Sequence, residues 1–288
     1  MNKTLGMLRR EGAAFLASSS DSPAVDANTL LAYVCGMSFA QLLANPDASC
    51  TEEQCARFES LLKQRRSGVP IAYLLRQREF MSLSFAVTPD VLIPRPDTEL
   101  LVETVLARYP KAAASADGWK GLEIGVGSGC ISVSLARYGS IDMIGVDISE
   151  AALAVAHRNA MNNGAADRVT FVKGDLFAPL TDADAGQFDF IVSNPPYIPS
   201  AEIAMLATDV RDYEPTLALD GGASGLDFYE RLAEDGMRWL KPQGMIFWEI
   251  GHNQRQAATE LLQNRGWRDI VCRQDLAGLD RVVFATRA

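Results

Sequence analysis

Histidine is nearly missing from this 288-residue chain: His157 and His252 are the only two. Neither stands in a motif that would make it a base or a ligand, so each reads as a surface or supporting group, and no metal site is expected. Cysteine is scarce too. Cys35, Cys50, Cys55, Cys130 and Cys272 are odd in number, and none has C-x-x-C spacing. That excludes a zinc ribbon or a disulfide framework and makes a reducing cytoplasm the expected location. No apolar run approaches the roughly 18 residues that span a bilayer. Arg9, Arg10 and Glu11 interrupt the first residues before any signal core could form. An excess of positive charge is also lacking, with 27 Lys and Arg against 36 Asp and Glu for a formal net charge of −9. A broad phosphate-gripping surface needs the opposite balance, so direct nucleic-acid binding is not expected. The one local basic run, Lys63, Arg65 and Arg66, reads as a solvated helix end, where cations complement the helix dipole.

What is present is an ordinary globular mixture, 48% hydrophobic and 22% charged, of a length that suits one large domain and one small. Residues 1–76 read as short helices. Leu5, Leu8, Phe15 and Leu16 lie on one stripe, and Leu30, Leu31, Tyr33 and Val34 follow the Ser22-Pro23 start. A third helix is predicted over 38–44, before the Asn45-Pro46-Asp47 break. Thr51-Glu52-Glu53-Gln54 fits a capping box for a fourth, carrying Phe58, Leu61 and Leu62. Residues 77–98 read as a β-hairpin and a proline linker, because Pro94 and Pro96 impose an extended segment. Residues 99–288 then alternate apolar strands with helical stretches, the pattern of a parallel sheet covered on both faces. The predicted strands are 121–124, 143–147, Val169–Lys173, Phe188–Ser193 and 244–250, with 269–273 and 281–285 closing the sheet as a hairpin.

The first strand runs into Gly125-Val126-Gly127-Ser128-Gly129 and then a helix. Glycines let backbone approach a ligand, and the helix N-terminus behind them offers free N–H groups. The dinucleotide fingerprint is G-x-G-x-x-G, whereas here it is G-x-G-x-G with Cys130 where the last glycine should be, which disfavours NAD and FAD. Asp147 ends the second strand, where a carboxylate can accept from both ribose hydroxyls of an adenosine or merely cap the next helix near Ser149. After the third strand, Asp175 could accept from an adenine amine while Leu176 covers the ring. The three strand ends together resemble the adenosine site of class I S-adenosylmethionine-dependent methyltransferases, which implies a Rossmann-like α/β fold with a seven-stranded, mostly parallel sheet.

The fourth strand ends in Asn194-Pro195-Pro196-Tyr197. In an open α/β sheet ligands sit beyond the strand ends at the switch point, where the first and fourth strands are neighbours. Asn194 should therefore face the cofactor's methyl group. A planar amide nitrogen is a poor nucleophile, so the chemistry needs aim rather than a triad. The Asn194 side-chain oxygen can accept one N–H of a substrate NH2, the Pro195 carbonyl can accept the other, and the Tyr197 ring can lie against the flat group. The two prolines keep the run extended.

Asn-Pro-Pro-Tyr resembles both DNA adenine-N6 and protein glutamine-N5 methyltransferases. Three further stretches separate them: Pro70-Ile71-Ala72-Tyr73-Leu74 with Glu79-Phe80, Leu92-Ile93-Pro94-Arg95-Pro96-Asp97-Thr98-Glu99, and Asp209-Val210-Arg211-Asp212-Tyr213-Glu214-Pro215 with Leu219-Asp220-Gly221-Gly222. With these, nearly the whole chain resembles the release factor glutamine methyltransferases. The resemblance implies a small all-α N-terminal domain that docks the protein substrate and a methyltransferase domain. It also implies S-adenosylmethionine as cofactor and N5-methylation of the glutamine in the Gly-Gly-Gln loop of peptide chain release factors. A related enzyme acting on a ribosomal protein reads Ile-Pro-Arg-Ser-Pro in the linker, so Pro96-Asp97-Thr98 favours release factors. A monomer is expected. The chain departs from the family at Arg76, where glycine is usual, and at Glu123, a longer carboxylate than the usual aspartate that should still reach the cofactor's amino group.

Overall fold

The computed structural model describes residues 3–114 and 118–288. It divides into two compact units, Met1–Gln77 with Ala207–Tyr213, and Arg78–Leu206 with Glu214–Ala288. Among the described residues no helix is long and apolar enough to cross a membrane.

Among its described residues the first unit holds α1 (Leu5–Leu16), α2 (Pro23–Cys35), α3 (Phe39–Ala44), α4 (Glu52–Arg66) and α5 (Ile71–Leu75), together with the short helix Thr208–Arg211. Their starts are fixed locally. The Thr4 hydroxyl accepts from the Met7 N–H, Pro23 opens α2, and Ser38 with Gln41 and Thr51 with Gln54 close reciprocal capping boxes. Leu5, Leu8, Leu16, Leu30, Leu31 and Phe58 meet in one core. The basic run at the end of α4 is only partly the solvated end expected. Lys63 pairs with exposed Glu59 and Arg66 lies over the Phe15 ring, but Arg65 is largely buried and donates to Asp26 at 2.7 Å. Burial of the ion pair turns that arginine into a structural tie between α4 and α2. The later segment Ala207–Tyr213 belongs here as well, with the Tyr213 hydroxyl donating to the Ser67 carbonyl at 2.8 Å. Arg76 caps α5 at φ 58°, in the left-handed region that glycine adopts most readily.

In the second unit β1 (Gln77–Phe80) and β2 (Leu83–Ala86) form the expected hairpin, turning through Met81 and Ser82 at φ 50° and 57°. The expected linker is shorter than residues 77–98. Pro96 opens helix α6 (Pro96–Arg108), because a proline needs no N–H in a first helical turn. Then come β3 (Trp119–Ile124), α7 (Cys130–Gly139), β4 (Ile141–Asp147), α8 (Glu150–Asn162), β5 (Val169–Lys173), β6 (Phe188–Ser193), the helix Asp227–Trp239, β7 (Leu240–Glu249), the helix Arg255–Asn264, β8 (Arg268–Gln274) and β9 (Asp280–Thr286).

The seven-stranded sheet has the order β5-β4-β3-β6-β7-β9-β8, with β9 antiparallel to both neighbours and the other pairs parallel. Every residue of β6 is buried, as a central parallel strand requires. Phe190 and Val192 face a core with Val105 and Phe247, while Phe188 and Ile191 face one with Leu232 and Trp239. β3 and β6 lie side by side, with Ile124 opposite Ser193, and the Ser193 hydroxyl donates to the Ile124 carbonyl at 2.7 Å. The glycine turn and the Asn-Pro-Pro run therefore leave the sheet together at its switch point.

Candidate active site

A cavity of about 360 Å³ opens at those strand ends. Glu123, Gly125, Val126, Gly127, Ser128, Asp147, Asp175, Leu176, Asn194, Pro195 and Pro196 all contribute to its wall. Gly129 and Tyr197 do not. Gly129 caps α7 from behind the turn, and Tyr197 packs against the core under its loop. His157 and His252 are exposed and away from the cavity.

At one end the turn takes a left-handed form that glycine adopts readily. Gly125 and Gly127 sit at φ 79° and 54°, and a β-carbon on either would meet no protein atom within 4 Å. Asp147 braces this turn, accepting the Gly127 N–H through Oδ2 and the Ser149 N–H through Oδ1, each at 2.8 Å. The cap of the following helix is Ser149, whose hydroxyl accepts from the Ala152 N–H at 3.2 Å, so Asp147 is not its cap but a wall residue of the cavity, and a carboxylate with about four acceptor positions has two left over. Asp175 is half-exposed, and its Oδ2 accepts from Arg231 at 2.8 Å. Leu176 is buried at φ 49°, a costly backbone state for a leucine that the surrounding wall enforces. Glu123 is fully buried. Its Oε2 accepts from the Ser132 N–H and hydroxyl, while Oε1 has no hydrogen-bond partner. Burial pushes this carboxyl up to about 8, against the two Ser132 bonds.

At the other end the Asn194 Nδ2 donates to Thr98 Oγ1 at 3.3 Å, and Glu249 ends the neighbouring strand β7. Thr98 and Glu249 are each 2% exposed. Burial raises Glu249 to about 7, and its Oε2 has no partner. The loop after Asn194 is clamped. The Gln254 Nε2 donates to the Tyr197 carbonyl at 3.0 Å, and the Ile198 N–H donates to the Leu219 carbonyl at 3.1 Å. A β-carbon on Gly221 would come within 2.8 Å of the Pro196 carbonyl, so the Leu219-to-Gly222 stretch is the backing wall of the loop. Burial also lifts the Tyr197 phenol to about 12, so it stays neutral.

The other two family stretches meet at Glu214, which is buried and accepts from the Ile93 N–H at 3.0 Å and from the Arg95 guanidinium. Pro94, Arg95 and Pro215 complete the rim. Asn159 links the hairpin to the glycine turn, bonding both the N–H and the carbonyl of Ala86 and the Ser128 carbonyl. Asn159 and Glu249 were invisible to motif reading, and Thr98 stood in the linker stretch without a role of its own. Only Glu249 left a trace, as a carboxylate closing the apolar run Met245 to Trp248.

A sheet of this order, with a glycine turn and an Asn-Pro-Pro run flanking one cavity at its switch point, defines a class I methyltransferase. The family model described as methyltransferase domain matches residues 122–213, and that described as PrmC N-terminal domain matches residues 7–75. A release factor glutamine methyltransferase of Geobacter sulfurreducens is 44% identical over 255 residues, covering 88% of this chain and 86% of its own. One from Moorella thermoacetica is 41% identical over 94% of each chain. In three dimensions the chain is similar to a methyltransferase of Pyrococcus furiosus, with a TM-score of 0.54 at 19% identity over 73% of this chain and 91% of that one. The chain belongs to the release factor glutamine methyltransferase family.

Proposed function

We propose that this enzyme transfers a methyl group from S-adenosylmethionine to the side-chain nitrogen of the glutamine in the Gly-Gly-Gln loop of peptide chain release factors. The cavity fits that cofactor. The unpartnered Glu123 Oε1 is a buried anion acceptor suited to an amino cation, and the cradle over Gly125 and Gly127 is open to a ligand. Asp147 would hold the ribose hydroxyls, and Asp175 with Leu176 the adenine. The bound cofactor supplies an electrophilic methyl carried on a sulfonium.

The observation that carries the substrate reading is the state of the Asn194 amide. Its Nδ2 donates to Thr98 Oγ1, which leaves Oδ1 as the atom offered to a ligand. An acceptor fixed in place takes one N–H of a planar substrate amide. The Pro195 carbonyl takes the other, and the two aim the nitrogen lone pair out of the amide plane. The proton that the nitrogen must lose on forming its new carbon bond leaves to solvent. Docking of the protein substrate falls to the helical unit at residues 1–76, which lies outside the cavity-bearing fold. Incubation of enzyme, S-adenosylmethionine and a release factor, followed by tandem mass spectrometry, tests the proposal. A single methyl on the Gly-Gly-Gln glutamine is expected, and its absence, or a methyl elsewhere, rejects it.

A further inference from the structure

We infer that Asn159 is a positioning residue that holds the glycine turn in its cofactor-binding form. The inference rests on the cofactor reading just proposed and deepens it. Asn159 lies near the end of α8, is 0% exposed and is not among the wall residues of the cavity. It can act on a ligand only through the backbone that it holds. An amide side chain has one acceptor oxygen and two N–H donors, and here all are spent on backbone. Oδ1 accepts from the Ala86 N–H at 2.7 Å, and Nδ2 donates to the Ala86 and Ser128 carbonyls, each at 2.9 Å.

The bond to Ser128 reaches the wall itself, because Ser128 lines the cavity. A regular helix would give that carbonyl the N–H four residues on, but the Ser132 N–H donates to Glu123 instead. Asn159 supplies the donor that the helix does not. The rest of the turn is held from β4, where the Gly125 N–H donates to the Val146 carbonyl and the Gly127 N–H to Asp147, each at 2.8 Å. Asn159 holds it from α8. The turn lies close on that helix, since a β-carbon on Gly129 would come within 3.0 Å of the Ala156 side chain, one turn before Asn159. The two bonds to Ala86 fix the plane of the amide in its turn. Ala86 ends β2, and the chain beyond it supplies Val91, Leu92, Pro94 and Arg95 to the same cavity. A leucine of similar size would fill the space and leave the Ser128 carbonyl without this donor. Glycines freed of that restraint have other conformations open to them, and affinity falls by the fraction of time the turn keeps its binding form.

The test is calorimetry of S-adenosylmethionine binding, well below each variant's unfolding midpoint, and it needs no protein substrate. Asn159→Leu removes all three bonds and should raise Kd roughly tenfold. Asn163→Ala is the control. The Asn163 Nδ2 donates to the Ser84 carbonyl at 3.0 Å, so this change loosens the same hairpin without reaching the turn. Its Kd should stay within about twofold of the parent. In turnover, KM for S-adenosylmethionine should rise with Kd in Asn159→Leu, while kcat at saturating cofactor stays within about twofold. In the ligand-free enzyme, hydrogen exchange at the Gly127 and Gly129 N–H groups should quicken in Asn159→Leu and not in Asn163→Ala. Should Asn159→Leu not fold, Asn159→Ser makes the same comparison. A parent Kd in the Asn159 variant, or an equal rise in Asn163→Ala, overturns the inference. Unchanged exchange at the glycine turn overturns it whatever the ligand is, whereas quickened exchange in an enzyme whose parent binds no S-adenosylmethionine rejects the cofactor reading.

Discussion

Each end of the cavity has a fully buried glutamate at the tip of a strand, with one oxygen left unpaired, and the two are put to different use. Glu123 contributes to the cavity wall, and its buried Oε1 has no partner. Glu249 is not among the wall residues, and its buried Oε2 has no partner either. Burial lifts both carboxyls, to about 8 and about 7. A carboxyl in the wall gains its charge when a cationic group binds beside it. One outside the wall has no such partner. The sheet supplies the same kind of residue at both ends, and distance from the cavity decides its role.

The difference can be broken at the cofactor end first. Asp147→Ala should weaken S-adenosylmethionine binding by roughly ten- to a hundredfold, since charge-assisted hydrogen bonds are worth about 1.5–3 kcal/mol. Calorimetry that finds the parent affinity would take Asp147 out of the ribose site. Glu123→Gln should cost roughly tenfold and abolish a pH dependence. The anion is the form that pairs with an amino cation, so in the parent the affinity should rise by roughly tenfold between about pH 6 and 7.5, as a carboxyl titrating near 8 loses its proton. The sign is opposite for the ligand-free fold. A carboxyl raised above its ordinary value stabilises fully at low pH, and that contribution fades as pH rises through about 8. A parent affinity that is flat with pH removes Glu123 from cofactor binding. The smallest effect lies far from the cavity. Arg76→Gly should stabilise the helical unit by about 0.5–1 kcal/mol, because Arg76 sits at φ 58° where a β-carbon is unfavourable. A denaturant midpoint that falls would show that the arginine side chain compensates for its backbone.

Much of this was legible in the sequence because much of it is local. The strands Val169–Lys173 and Phe188–Ser193 have the bounds their apolar runs predict, and the capping box expected at Thr51 and Gln54 is formed. The misreadings lie where long-range pairing overrides local chemistry. β7 starts at Leu240 rather than 244, because Leu240 pairs with Phe188 across an irregularity although Pro242 and Gly244 look like breakers. Trp119 and Lys120 extend β3 because Ile141 and Asp142 lie opposite them. Within the site, the glycine turn, Asp147 and Asn194 carry motifs. Asn159 and Glu249 do not, and Thr98 stands in the linker stretch with no role legible, because Thr98 meets Asn194 from 96 residues away and Asn159 meets Ala86 from 73. The segment Ala207–Tyr213, which joins the first unit from late in the chain, was unreadable for the same reason.

The central claim is that an oriented amide at the fourth strand's end aims the substrate nitrogen. Asn194→Ala tests it most directly, with a release factor as substrate and S-adenosylmethionine saturating. The account predicts a kcat lower by about 10²–10³, as for the loss of one preorganised hydrogen-bonding group, with cofactor affinity nearly unchanged. Methylation by Asn194→Ala at the parent rate would contradict it.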